Sequence, residues 1–324
     1  MQDYPTKKFT KLPLLLAFVI AIFFVGVFGF KKIFKDEIVV REDLSEKNYY
    51  STLLRSDNLT SSWEPGEDLG TSNQPEITSE SALLVNINSG EVLIEKNSTK
   101  KMKIASLVKM MTAIVALEHK NLEDEIIVTY RAADIGENTM GLSQGEVYTL
   151  EELLYGLVLN SGNDAAYAIA EGVGGDVETF VKWMNMKAKE LNMNDTEIFD
   201  PSGLNDSTYS TAVDLVKLAG YAMQNEDFRR IVGTFSIELP YSEKHKYLYL
   251  ENQTNLLTTY PGVGGIKTGY TEEAGMCLVT YAENEGKELI GVVLNAVNRK
   301  FDMIIMLDYG FGVYGIDIEH GYSY

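Results

Sequence analysis

Strand-like residues lie at the two ends of the folded part of this chain, and helix-like residues fill the space between. Residues 82–88 and 91–96 read as two strands joined through Ser89-Gly90, a dipeptide suited to a tight hairpin. Residues 236–239, 246–250, 276–281 and 288–297 are rich in β-branched and aromatic residues and read as a second block of strands. From 105 to 117, Leu107, Met110, Met111, Ile114 and Leu117 recur at helical spacing in a helix opened by Ser106. A short strand at 126–129 and an irregular stretch at 136–147 follow. Thr149 and Glu152 then form a capping-box pattern ahead of Leu150, Leu153, Leu154 and Leu157. Further helices are expected at 164–171, 176–191, 212–225 (capped by Ser210 or Thr211) and 302–311. Strands this far apart satisfy their edges most simply in one antiparallel sheet, so the pattern predicts an α/β (α+β) fold: a sheet flanked by helices, with a mainly helical region inserted.

Outside that region the chain has a different character. Leu12 to Phe30 is 19 residues without a charge, enough to cross a bilayer as a helix and longer than the apolar part of a cleaved signal. Lys7, Lys8 and Lys11 before it are matched by Lys31, Lys32 and Lys35 behind it, so flanking charge does not set its direction. Val27-Phe28-Gly29 offers a small-residue cleavage site as the alternative. Residues 36–75 are polar, acidic and without apolar period, which reads as a flexible tether. The expected organisation is thus an anchor or signal at 1–35, a tether at 36–75 and one catalytic domain at 76–324.

The 324 residues carry a net charge of −19; setting aside 1–35 removes six lysines and one acid and leaves 22 basic against 46 acidic groups, a net −24. Such a surface repels nucleic acid. Cys277 is the sole cysteine, so no internal disulfide can form, and its apolar strand-like setting suits a buried, inert thiol. His119, His245 and His320 are too far apart in sequence for ligand spacing, which points away from a metal, a cofactor or a Ser-His-Asp triad.

Three motifs then stand in order: Ser106-Leu107-Val108-Lys109, Ser161-Gly162-Asn163 and Lys267-Thr268-Gly269. Singly they are weak. Ser98-Thr99-Lys100-Lys101 also fits the first pattern and Ser56-Asp57-Asn58 fits the usual Ser-Asp-Asn form of the second, but neither has the expected position in a packed domain. Ser161-Gly162-Asn163 by itself would be a helix-ending loop, Lys267-Thr268-Gly269 a hairpin turn and Arg299 a solvated charge. Their joint order makes Ser106 the candidate nucleophile.

On a helix, residues i and i+3 share a face, which brings the Lys109 amine to the Ser106 hydroxyl. Lysine acts as a base only when neutral. Lowering its pKa by about three units costs roughly 4 kcal/mol, expected here from burial and from the charge of Lys267. Ser161 can relay a proton to a leaving nitrogen, and the Asn163 amide can bond both the lysine and a substrate carbonyl. Lys267 and Thr268 can hold a carboxylate, Gly269 lets the backbone approach a substrate, and the N–H groups of Ser106 and Tyr270 can form an oxyanion hole.

With these residues in view, the chain resembles the low-molecular-weight penicillin-binding proteins that act as serine D-alanyl-D-alanine carboxypeptidases. The resemblance covers about residues 80–312. It includes the runs from Ile104 to Ala113, Tyr148 to Leu157 and Ser161 to Ala166, and continues through Asp200-Pro201-Ser202-Gly203-Leu204, Tyr209 to Ala212, Gly265 to Thr271 and Leu307 to Phe311. It implies a β-lactamase/transpeptidase-like fold, Ser106 as nucleophile, Lys109 as base, Ser161 and Asn163 as relay and positioning groups, and Lys267 with Thr268 as carboxylate binders. Arg299 matches the family's carboxylate-binding arginine with a one-residue shift around Phe301. The implied partners are peptidoglycan stem peptides as substrate, β-lactams as inhibitors and a bacterial membrane, with the catalytic domain on its extracytoplasmic face. Many members carry a C-terminal β-rich domain and a terminal amphipathic helix; here the N-terminal span is expected to serve as anchor. A class A β-lactamase is the nearest alternative, but its Glu-x-x-Leu-Asn pattern is absent and Gly162 stands in place of Asp. The other is a catalytically idle wall-binding protein, against which the intact motifs argue.

Overall fold

The computed structural model describes residues 74–321. The expected span at 12–30, the decoy at Ser56-Asp57-Asn58 and all but the last two residues of the expected tether lie outside the described residues. Among the described residues, no helix is long and apolar enough to cross a membrane.

A five-stranded antiparallel sheet organises the domain, in the order β2-β1-β11-β10-β9. Strands β1 (Ser81–Asn86) and β2 (Val92–Lys96) form the N-terminal hairpin, which turns through Gly90 at φ +81°. Strands β9 (Val263–Thr271), β10 (Gly275–Asn284) and β11 (Lys287–Ala296) form a C-terminal meander. The two halves join where β1 pairs with β11, with Ser81 opposite Leu294 and Asn86 opposite Leu289. The expected single antiparallel sheet is therefore present, with helices on its faces. Strand β9, however, is not among the strands expected from the sequence. Gly264, Gly265 and Gly269 lower its strand propensity, and its pairing with β10, Lys267 opposite Val279 and Gly269 opposite Cys277, overrides that weakness.

Between the sheet halves lie a 3₁₀ turn at Ala105–Val108 and helices α1 (Lys109–His119), α2 (Tyr130–Ala133), α3 (Leu150–Leu159), α4 (Asn163–Gly174), α5 (Val177–Glu190), α6 (Ala212–Ala222) and α7 (Glu226–Val232). Helix α3 has the expected capping box. Thr211, not Ser210, caps α6, and Asn225 starts α7 where the sequence pattern suggested one helix ending. Three short two-stranded pieces flank the helices: β3 (Met102–Lys103) with β6 (Tyr209–Ser210), β4 (Glu125–Ile127) with β5 (Val147–Thr149), and β7 (Ser236–Leu239) with β8 (Leu248–Glu251).

A one-turn helix, α8 (Leu256–Thr259), precedes β9, and the chain closes with α9 (Arg299–Val313), which starts three residues before its expected position because Asn298 caps Phe301 N–H. Helix α9 covers one sheet face, packing Met303, Ile304, Leu307 and Phe311 against Leu84, Leu93, Leu289 and Val293. Leu83 and Val85 point to the opposite face by strand alternation and are equally buried, with α6 packed against β1 and β11. Buried Asp302 at the start of α9 accepts the N–H groups of Thr78 (3.0 Å) and Ser79 (2.7 Å), fixing the entry of the chain beside its last helix.

Candidate active site

The 3₁₀ turn holding Ser106 runs along the free edge of the sheet, against β9. The helix expected from Ser106 onward becomes regular only at Lys109, because Ala105–Val108 wind as a 3₁₀ turn entered through Ala105 at φ +46°. Gly269 allows this closeness: a Cβ there would lie 3.0 Å from Ile104 O and 3.2 Å from Ser106 N. Ser106 is partly exposed, while Lys109 is wholly buried beneath it.

Lys109 Nζ has three close neighbours: Ser106 Oγ at 2.8 Å, Asn163 Oδ1 at 2.8 Å and the carbonyl of Ser202 at 2.6 Å. A neutral amine has two N–H groups and one lone pair. The two carbonyl oxygens only accept, so they take both N–H groups and leave the lone pair for the Ser106 hydroxyl proton. Burial lowers the Lys109 pKa to about 7, while the carboxylates of Asp200, Asp164 and Glu137 oppose the fall. Desolvation is thus the source of the shift. The repulsion expected from Lys267 appears on the other partner: Lys267 is held well below the usual lysine range first by burial and then by the charges of Lys109 and Arg299.

The second motif forms the turn between α3 and α4. Ser161 is buried at φ +56° and Gly162 is the N-cap of α4. Asn163 begins the helix, with its Nδ2 donating to Gly136 O (3.1 Å) and its N–H to Asn138 O (2.7 Å). Next to it, the Asp164 carboxylate accepts the N–H groups of Met140, Gly141 and Leu142, each at 2.9 Å, and so holds the irregular loop that carries Gly136 and Asn138.

The third motif lies on β9. Lys267 and Thr268 are buried, Tyr270 is 60 % exposed, and Lys267 Nζ donates to Thr268 O at 3.0 Å. Arg299, matched from sequence with a one-residue shift, reaches β9 from the start of α9 and donates from Nη1 to Gly269 O at 2.7 Å. Burial lowers its pKa as well.

One part of the site has no motif in the catalytic reading. The Asp200 carboxylate accepts the N–H groups of Ser202 (2.7 Å), Gly203 (2.7 Å) and Asn205 (2.8 Å), winding a tight loop that presents Ser202 O to Lys109. Thr112 Oγ1 ties the same loop to α1 through Pro201 O at 2.6 Å. The available signal was Asp-Pro-Ser-Gly, a turn sequence with an acceptor at its start. The decoy serine is structural: Ser98 is buried and donates to Glu95, while Lys101 pairs with Asp195 at 3.1 Å. Cys277 is buried, its thiol pushed up to about 11 by burial.

Residues 69–298 match the family model for D-alanyl-D-alanine carboxypeptidases of the S11 peptidase type. The chain belongs to this family. Among its relatives, D-alanyl-D-alanine carboxypeptidase DacF of Bacillus subtilis is 36% identical over 243 residues, covering 72% of this chain and 62% of that protein. The D-alanyl-D-alanine carboxypeptidase of Streptomyces sp. strain K15 is 33% identical over 261 residues, covering 74% of this chain and 89% of that one. The crystal structure of the Streptomyces K15 DD-transpeptidase superposes with a TM-score of 0.71 at 32% identity, over 74% of this chain and 99% of its own. A D-alanyl-D-alanine carboxypeptidase structure from Mycobacterium tuberculosis gives 0.71 at 31% identity, over 76% and 96%. As a D-alanyl-D-alanine carboxypeptidase family member, the chain is a serine peptidase, and the β-lactamase/transpeptidase-like fold is that of its solved relatives.

Proposed function

We propose that this protein removes the terminal D-alanine from peptidoglycan stem peptides through an acyl-enzyme on Ser106. The observation that carries the reading is the Lys109 environment, which leaves a buried amine with its lone pair 2.8 Å from the serine oxygen. Lys109 takes the Ser106 proton as Oγ attacks the carbonyl carbon of the penultimate D-alanine. The N–H groups of Ser106 and Tyr270 stabilise the tetrahedral oxyanion, each donor being worth about 3 kcal/mol. The C–N bond then breaks and the proton passes through Ser161 to the amine of the departing D-alanine. Water hydrolyses the ester, returning Ser106 and its proton.

Lys267, Thr268 and Arg299 receive the free carboxylate of the leaving residue. A carboxylate supplies Lys267 with the counter-charge its buried setting beside Arg299 lacks, so binding favours the ammonium. Recognition of that end selects release of a terminal residue over cleavage of an internal cross-link. The apolar span at 12–30 holds the domain on the outer face of the bacterial membrane, where this substrate lies.

Mass spectrometry of the purified protein with penicillin tests the covalent step. The expected result is one slowly hydrolysed adduct on Ser106, lost in Ser106→Ala and retained in Ser98→Ala. With a muropeptide, loss of one D-alanine is expected, and a C-terminally amidated analogue should be cut poorly. Rapid turnover of penicillin, or an adduct on any other residue, would overturn the reading.

A further inference from the structure

The ionisable groups given roles in the reaction are all basic: Lys109, Lys267 and Arg299. One exposed carboxylate, Glu137, is near enough to Lys109 to support its positive charge against burial. Its backbone is unusual. Glu137 sits at φ +63°, a conformation that costs a residue other than glycine about 1–2 kcal/mol. The flanking residues account for that turn, since Gly136 O accepts from Asn163 Nδ2 and Asn138 O from Asn163 N–H. With both neighbours turned inward, the residue between them faces outward, two hydrogen bonds from the Lys109 amine. Glycine or asparagine would occupy the position at lower cost. The backbone alone therefore gives no reason for a glutamate, and its carboxylate has neither a hydrogen bond nor an ion pair to any described residue.

We propose that Glu137 is a specificity-determining residue that receives a protonated side-chain amine on the residue preceding D-alanyl-D-alanine. The inference rests on the D-alanine-releasing reaction above. In that reaction Lys267 and Arg299 occupy the leaving-group side, so the acyl half of the peptide extends along the Asn163 side, where Glu137 stands. The substrate is then charged at both ends of its bound segment: a carboxylate at the terminus and an ammonium on a diamino acid two residues before it.

Steady-state release of D-alanine from two substrates tests this, Nα-acetyl-L-lysyl-D-alanyl-D-alanine with a free ε-amine and its Nα,Nε-diacetyl form. The parent enzyme should favour the free amine about fivefold in kcat/KM at low ionic strength, and added salt should shrink the difference. Glu137→Gln should abolish the preference by lowering only the free-amine value, and Glu137→Asp should restore part of it. Glu285→Gln, the same charge change in the turn between β10 and β11, should leave both values alone. Equal losses on both substrates in Glu137→Gln would mean that the carboxylate acts on Lys109 instead, and no preference in the parent would also overturn the proposal. If the parent released D-alanine from neither peptide, the reaction itself would be refuted and the inference with it.

Discussion

An amine removed from water gives up its proton more readily, and Lys109 turns that cost into reactivity. Its folded-state pKa of about 7 lies below the ordinary value of 10.5, so between those limits the unfolded chain binds more protons than the folded one. Stability from this residue is therefore full above about 10.5 and is lost as the pH falls through about 7. Lys109→Met removes that titration. In urea unfolding at pH 7.5 and 9.5, the parent should gain roughly 2 kcal/mol relative to Lys109→Met as the pH rises. The same proton governs rate: acylation of the parent by a β-lactam should climb with pH through about 7 and level off once the amine is neutral. A flat rate profile from pH 6 to 9 would show that Lys109 is not the base.

At the scale of elements, the site is made where four pieces end or turn: the 3₁₀ turn before α1, the α3–α4 turn, the Asp200 loop and edge strand β9. Their closeness depends on missing side chains. Gly203 has φ +84°, and a Cβ there would lie 2.1 Å from Ala105 O and 2.9 Å from Ser106 N. Gly286, in the β10–β11 turn, has a similar φ of +74° but open space around it. Gly286→Ala should cost only the conformational penalty, about 1–2 kcal/mol. Gly203→Ala carries the same penalty and must also push the nucleophile turn away from Lys109. Chemical denaturation should show the larger loss for Gly203→Ala, and its β-lactam acylation should slow at least tenfold while Gly286→Ala acylates normally. Similar acylation by both variants would show that the Asp200 loop does not position Ser106.

For the whole molecule, the proposed anchoring by the lysine-flanked apolar span is separable from the chemistry of the acidic domain. Full-length protein should sediment with membranes, and a chain lacking residues 1–35 should remain in the soluble fraction with the same kcat/KM on a tripeptide. Release of the full-length form without detergent, with an N-terminus near Phe30, would identify a cleaved signal. The sequence by itself determined the antiparallel sheet with its helical insertion, since side-chain period and capping residues are local properties, and the ordered motifs that name the candidate nucleophile and base. Strand β9 was not legible locally, because its glycines weaken strand propensity and only pairing with β10 compensates. Nor were the carbonyl of Ser202 and the carboxylate of Glu137, which lie far from the serine and lysine in sequence. Only tertiary structure decided how those groups meet: burial set the proton affinity of Lys109, and two backbone-anchored acceptors aimed its lone pair, because desolvation and hydrogen-bond direction depend on neighbours in space rather than along the chain.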